Sequence, residues 1–418
     1  MSMHTPITGR PVRVALVGAG NRGLTYAQWI KNHPDRAELV AVADPRPAAR
    51  EASGAPLRFD DWRPLAEERI ADAVIVATQD RMHVEPVLAL AEAGYAILAE
   101  KPLAPTEEET RRIVEGVRRA GVLFAVCHVM RYTPYTDLVK GVVDSGVLGR
   151  LVSLEHLEPV GWWHYAHSYV RGPWRSERES SPMLLAKSCH DLDWIAYVMG
   201  ARIEQVTGFG GLAHFRPENA PEGSAERCLD CAVEPECPYS APKLYMPTLR
   251  ERGHVWPVTH VTDETDEAGL VRALREGPYG VCVYRSDNDV VDHQVLAMQL
   301  TGGVTATFQM MAFTEQTHRQ TRVFGSHGWL TGDGERVTVQ DFRTGATTVH
   351  STGASGSNAG DGHGGGDFRL VEAFVTAVAT GDPTAVRSGP GTSLGSHLAA
   401  FAAERARHTG TVQRVPAA

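Results

Sequence analysis

A two-domain chain, α/β followed by α+β, is predicted by three observations. Over residues 1–126, short apolar and β-branched runs alternate with helical patterns, which is the grammar of a doubly wound parallel sheet. From about residue 150, strand-like runs follow one another across Gly-rich turns, which predicts a mostly antiparallel open sheet. The 418 residues, 43% hydrophobic and 22% charged, suffice for two or three domains of roughly 100–200 residues, each with a core of its own. The expected division is 1–126 and 127–418, with a Cys-, Pro- and Glu-rich insertion at about 214–265.

In the first domain, VRVALV at 12–17 reads as a strand buried on both faces, followed by a glycine turn and a helix from about Leu24 to Lys31. Strands are expected at 38–43, 73–77, 95–99 and 122–126, with helices at 84–94 and 107–120. In the second domain, strands are expected at 150–159, 202–212, 281–284, 289–300, 303–312 and 320–340. Helices at about 182–199, 367–379 and 390–407 should cover one face of that sheet. The other face should then show an apolar row, Val304, Ala306, Phe308 and Met310, set against Thr305, Thr307 and Gln309. A row of that kind calls for a second copy of the chain, hence a homo-oligomer. Residues 351–366, STGASGSNAGDGHGGG, read as a loop that is either flexible or functional.

Charge and composition exclude several classes. Lys plus Arg number 41 against 50 Asp plus Glu, a net −9, so the basic footprint of a nucleic-acid binder is missing. No apolar run approaches the roughly 18–20 residues of a membrane span. The first residues carry no signal-peptide pattern, which makes a cytoplasmic, non-membrane protein the expectation. Six cysteines are too few for a disulfide scaffold.

Gly18-Ala19-Gly20-Asn21-Arg22-Gly23 is a complete G-x-G-x-x-G between a strand and a helix, the Rossmann fingerprint. The first glycine allows the tight turn, the second lets backbone approach a pyrophosphate, and the third permits close helix–strand packing. Asp44 at the end of the second strand can accept both ribose hydroxyls and repel a 2′-phosphate, favouring NAD over NADP. Arg46 and Arg50 weaken that preference, because an arginine there can hold the phosphate.

Thr78-Gln79-Asp80 with His83, and Glu100-Lys101-Pro102 at the end of the next strand, resemble the glucose–fructose oxidoreductase/inositol dehydrogenase (Gfo/Idh/MocA) superfamily over essentially the whole chain. The resemblance implies that Lys101 meets both the nicotinamide ribose and the substrate hydroxyl. It also implies a second-domain signature, a histidine followed three residues later by aspartate, which His190 and Asp193 satisfy. The further Asp expected four residues before the histidine is Ala186 here, next to Lys187, so Lys187 or Asp191 takes over part of its role. Oxidation of a secondary alcohol needs a base for the hydroxyl proton, for which His190 suits, and a cation to stabilise the developing alkoxide, for which Lys101 suits. On one continuous helix, Lys187, His190 and Asp191 would share a face.

The segment 161–175 holds three Trp, two Tyr, two His and two Arg with no regular period. Its Trp163, His164, His167, Arg171 and Trp174 are candidates for a sugar pocket, as stacking faces and hydroxyl partners, or else an aromatic packing segment. Arg131 and Tyr132 follow the last parallel strand, where open α/β sheets bind ligands. His363, in Gly362-His363-Gly364-Gly365-Gly366-Asp367, resembles the His-Gly-Gly-x-Asp turn of the superfamily's NAD-dependent glycosidases. Cys228, Cys231 and Cys237 have spacings that a structural zinc accepts. Cys282 is the first choice of fourth ligand, with His254 or His214 behind it and reduced thiols as the alternative. The expectation is an NAD-dependent oxidoreductase acting on a sugar, cyclitol or glycoside hydroxyl. The competitors are a redox glycosidase, a biliverdin- or imine-type reductase, and a non-enzymatic NAD(H)-binding regulator.

Overall fold

The first sheet, in the computed structural model, which describes residues 6–353 and 363–418, contains six parallel strands. They are β1 (Val12–Val17), β2 (Ala37–Ala43), β3 (Leu57–Phe59), β4 (Ala73–Val76), β5 (Ala96–Ala99) and β6 (Phe124–Val126). Their order is β3-β2-β1-β4-β5-β6, so the winding reverses between β1 and β4. That reversal opens a crevice at the strands' carboxyl ends, where such sheets bind ligands. The central strands are buried along their whole length, as AVIV in β4 and AILA in β5 require. The helix Glu107–Ala120 shows why these segments begin and end where they do. Thr106 accepts from the Glu109 amide and donates to its carboxylate, a reciprocal cap, and Gly121 closes the helix in the left-handed conformation at φ 67. The edge strand β3 escapes sequence reading because three half-exposed residues carry no periodicity.

The second sheet has nine strands: β7 (Leu151–Pro159), β8 (Ile203–Gly211), β9 (His293–Leu300), β10 (Thr305–Met311), β11 (Gln320–Gly325), β12 (Gly328–Gly332), β13 (Arg336–Asp341), β14 (Thr347–Ser351) and β15 (Gln413–Arg414). The order is β14-β13-β12-β11-β7-β10-β9-β8-β15. It is mixed rather than purely antiparallel, since the central pair β7–β10 runs parallel, Thr305 opposite Ser153 through Met311 opposite Pro159.

Several expectations need correction. The predicted strand 281–284 is reduced to one isolated bridge, Val281 with Arg227. The run 320–340 is three strands, and the predicted helix 182–199 is two, Met183–Ala186 and Cys189–Met199, broken at Lys187 and Ser188. The aromatic segment without a period is helical, Trp162–Tyr165 continuing as a π-turn over Ala166–Arg171. The helix Gly366–Thr380 packs on the first sheet, not the second. Its Leu370, Val371, Phe374, Val375 and Val378 join Val12, Val14 and Leu16 in one core, and the Ile7 amide donates to Ala379 O at 2.8 Å. Most of the apolar row expected on the open face, Ala306, Phe308 and Met310, is buried beneath the chain's own helices, leaving Thr305, Thr307 and Gln309 outside. The helix layer takes the apolar side, so that row gives no ground for an oligomer. The predicted loop 351–366 falls largely on residues 354–362, outside the described residues.

The insertion is larger than expected, filling the chain between β8 and β9. Helices Ala241–Arg252, Val258–Val261 and Glu267–Glu276 enclose a small core of Cys228, Ala241, Tyr245, Leu249, Val258, Leu270, Leu274 and Tyr279.

The two halves are clamped by a buried pair. Arg131, just past β6, donates from Nε to Asp193 Oδ2 at 2.6 Å and from Nη2 to Oδ1 at 2.8 Å. Both residues are under 5% exposed. Asp193→Ala should strand the guanidinium and cost on the order of 3–5 kcal/mol, measured as a loss of unfolding free energy in urea. A change below about 1 kcal/mol would contradict the assignment.

Candidate functional site

The glycine turn after β1 is shaped for a ligand. Gly18 has φ +90, and a Cβ there would lie 2.6 Å from Ala77 O; a Cβ on Gly23 would lie 2.0 Å from Gly18 O. Gly20 faces open space, with only Arg46 Nη2 at 3.8 Å, at the N-terminus of helix Asn21–Asn32. Asp44, nearly buried, accepts the Ala19 amide at 2.8 Å on Oδ2, and Arg46 by its backbone at 2.9 Å and by Nε at 3.0 Å on Oδ1. Burial alone would raise its pKa, but the Arg46 and Ala19 hydrogen bonds outweigh it and hold the carboxyl below its ordinary range. Arg46 is mostly exposed and can leave Asp44 to a ribose, whereas Arg50 is turned to the Asp44 carbonyl at 2.7 Å. At the end of β4 the Thr78 hydroxyl is buried without a partner, and Gln79 is exposed beside it. His83 bonds Pro102 O at 2.9 Å through Nδ1 and Thr78 O at 3.1 Å through Nε2, tying the two turns together. An orphan hydroxyl and a cradle that excludes any Cβ fit a dinucleotide.

Arg22 of the glycine turn bridges two carboxylates. It donates to Glu100 Oε1 at 2.7 Å and to both oxygens of Asp367 at 2.9 and 2.7 Å. Asp367 also bonds His363 Nδ1 at 3.1 Å, and His363 holds φ 48, rare for a residue other than glycine. His363 stands 6.0 Å from His190, ring to ring.

Lys101 follows Glu100, whose Oε2 accepts the Lys101 amide at 2.9 Å, and its Nζ donates to Ala186 O at 2.7 Å. Where the superfamily resemblance implies an aspartate, a backbone carbonyl therefore receives the lysine. His190, in the first turn of helix Cys189–Met199, has a buried Nδ1 without a partner. Burial, then the positive charge of Lys101, then His128 and His363, hold it well below the ordinary histidine value, so it is neutral near pH 7.

Lys187 does not share a helix face with His190, because the helix breaks at Lys187–Ser188, and Asp191, though next to His190 on the same helix, points to other partners. Lys187 and Asp191 join a separate buried network. Lys187 Nζ is 3.1 Å from Glu158 Oε1, and Arg319 Nε is 2.8 Å from Glu158 Oε2 and 2.7 Å from Asp191 Oδ1. His156 Nε2 adds a contact to Asp191 at 3.1 Å. Burial would raise the Asp191 pKa, but Arg319 and His156 hold it far below the carboxylate range, which unsuits it as a base. Lys187 is lowered by burial, against the attraction of Glu158. Glu158 and Arg319 had no sequence signal, since each is a lone charge in or beside a strand.

In the aromatic segment, His164 Nδ1 is 3.1 Å from Gln316 Nε2, and its pKa is depressed by burial and then by Lys187. Trp163 lies beside it, 5.8 Å ring to ring. The remaining pocket candidates spend their polar atoms inside the protein. Arg131 is held by Asp193, and Tyr132 by Ser388 at 3.1 Å and the Arg387 amide at 2.8 Å. His167 bonds Tyr245 at 2.8 Å, Arg171 donates to Val281 O and Tyr239 O at 2.8 Å each, and Trp174 packs on Tyr169.

Cys228, Cys231, Cys237 and Cys282 line one small pocket and are free thiols. Among the described residues no group of three or more His, Cys, Asp or Glu is placed to hold a metal ion, so the zinc expectation is not supported. Arg171 donates to Cys228 Sγ at 3.4 Å, and burial pushes the Cys237 and Cys282 thiols up. The reserve ligands are engaged too, His254 with Thr262 O at 2.8 Å and His214 with Tyr284 at 3.1 Å.

A glycine cradle at the reversal of a parallel sheet, a buried carboxylate at the end of β2, and a lysine and a neutral histidine near one another define a two-domain protein of the dinucleotide-binding class. The chain belongs to the Gfo/Idh/MocA oxidoreductase family: residues 12–128 match its NAD-binding Rossmann fold and 140–386 its C-terminal alpha/beta domain. It is 30% identical over 210 residues to the 2,7-anhydro-N-acetylneuraminate hydratase of Escherichia coli (strain K12), covering 49% of this chain and 55% of that protein. It is 26% identical over 274 residues to the scyllo-inositol 2-dehydrogenase (NAD(+)) of Bacillus subtilis (strain 168), covering 64% and 69%. The matched region thus spans about half the length of the first of these relatives. The fold is shared with levoglucosan dehydrogenase in complex with NADH and L-sorbose, at TM-score 0.70 and 17% identity over 98% of this chain and 100% of that one. No described helix is long and apolar enough to cross a membrane.

Two predictions follow from this geometry. Asp44→Ala should weaken NAD binding by roughly 1.5–3 kcal/mol per lost charge-assisted bond and narrow the NAD-over-NADP preference, read by fluorescence titration of both reduced cofactors. Burial also holds His128 to about 3 and His397 to about 4. With the folded values below the unfolded one, these groups favour folding above about pH 6.5 and lose that contribution as pH falls toward 4, at up to about 1.4 kcal/mol per unit each. Urea unfolding at a series of pH values should show this slope, and His128→Gln should flatten it.

Proposed function

We propose that the chain is an NAD-dependent oxidoreductase acting on a secondary hydroxyl of a sugar, cyclitol or glycoside. The observation that carries this reading is Lys101 beside His190, whose neutral ring keeps an unpartnered nitrogen. Bound nicotinamide supplies a two-electron hydride acceptor and donor. Gly18, Gly20, Asn21, Arg22 and Gly23 shape the pyrophosphate cradle, Asp44 takes the adenosine ribose, and Thr78 and Glu100 line the turns on the nicotinamide side. His190 takes the hydroxyl proton as the carbon gives up hydride, and Lys101 holds positive charge against the developing alkoxide. His164, near enough to Lys187 and His363 for their charges to act on it, is the hydroxyl partner on the substrate side, while Lys187 is spent on Glu158.

A second reading, the redox glycosidase or hydratase that oxidises, eliminates and re-reduces, is favoured by the His363–Asp367 pair 6.0 Å from His190. The hydratase relative points the same way. A homo-oligomer formed across the outer sheet face is supported by Phe209, 71% exposed, beside its cross-strand neighbour Val295, and light scattering tests it.

Lys101→Ala and His190→Ala should each lose at least about a hundredfold in kcat, with NADH affinity much less affected for His190→Ala. A panel of sugars, inositols and aryl glycosides separates the readings. NADH accumulating with substrate supports the dehydrogenase, and aglycone released without net NADH supports the second reading. A His190→Ala variant of normal turnover would overturn the assignment of the base.

A further inference from the structure

The insertion between β8 and β9 supplies none of the groups given a chemical role above, yet a short part of it packs on the aromatic segment and comes near enough to Arg46 for its charges to act there. On the substrate side, Trp256 packs on the aromatic segment, with rings 5.3 Å from Trp163, 5.4 Å from His164 and 5.7 Å from His167. His164 in turn is close enough to Lys187 and His363 for their charges to act on it. Four residues on from Trp256, the His260 ring stands 6.0 Å from that of His167. Its Nδ1 is buried without any hydrogen-bond partner. His260 and Asp263 both interact electrostatically with Arg46, the residue folded over the ribose-selecting carboxylate of Asp44.

A dinucleotide lying from Asp44 to Lys101 would therefore have the stretch Trp256–Asp263 along its outer side. The insertion is fixed well enough to act there. Buried Arg171 bonds Val281 O and Tyr239 O, and the small core around Tyr245, Leu270 and Tyr279 backs the segment.

We propose that Trp256–Asp263 is a clasp that closes the outer side of the dinucleotide crevice and keeps the cofactor on the protein between hydride transfers. The proposal rests on the dinucleotide reading of the glycine cradle. Asp263 acts on Arg46 through its charge, and Trp256 holds the segment against the aromatic helix; neither is a catalytic residue. Such retention suits turnover in which the hydride returns to the same molecule, and in a dehydrogenase it would make cofactor release a slow step.

The test is the dissociation rate of NADH from the full-length protein, followed by stopped-flow fluorescence after mixing with excess NAD. Trp256→Ala and the surface change Asp263→Ala should each speed release by at least about fivefold, as expected when a contact acts mainly on the off-rate. Thermal unfolding of Asp263→Ala should stay at the unmodified value, which separates loss of the clasp from loss of fold. A smaller change in both variants overturns the clasp while leaving the dinucleotide reading intact. Absence of NADH binding to the unmodified chain overturns both.

Discussion

The partly buried guanidinium of Arg22 is the contact on which the site depends. It belongs to the glycine turn, and its partners belong to the end of β5 and to the first turn of helix Gly366–Thr380. Burial works against its charge, and Tyr26, Asp367 and Glu100 outweigh that cost, so the cation is firmly retained. Removing one side of such an arrangement leaves buried carboxylates unpaired, which is far more damaging than never having had them. One residue therefore sets the position of the pyrophosphate turn, of Lys101 through Glu100, and of His363 through Asp367.

A second charge network, Lys187–Glu158–Arg319–Asp191, lies behind the histidine helix and carries the departure from the superfamily pattern. With Ala186 in place of a carboxylate, Lys101 finds a main-chain carbonyl, while the additional lysine is matched by Glu158 on β7. The charge of Lys187 is balanced by a residue of the sheet rather than of the helix. His190 is kept neutral by its burial, with Lys101 the strongest charge acting on it.

What could be read in advance was whatever local chemistry specifies alone. The parallel strands were legible because buried strands are continuous apolar runs, and the cradle because Gly18 and Gly23 stand where any Cβ would collide with backbone. The break at Lys187–Ser188 was not legible, since nothing in Leu185-Ala186-Lys187-Ser188 forbids a helix. Arg131, Tyr132 and Arg171 looked like pocket residues because composition shows that an arginine or tyrosine is present but not which carbonyl or carboxylate it meets. The cysteine spacing suggested metal for the same reason, and the facing Arg171 is supplied by a segment more than fifty positions away.

The return of helix Gly366–Thr380 to the first sheet carries a consequence for how the chain is made. The hydrophobic face formed by Val12, Val14, Leu16 and their neighbours waits for Leu370, Phe374 and Val375. During vectorial synthesis at about 5–20 residues per second, that face lacks this cover until strands β7–β14 of the second sheet have been made. The nucleotide-binding half is thus made well before the helix that seals it. A nascent chain stalled before the final helices would present apolar surface of the kind chaperones bind.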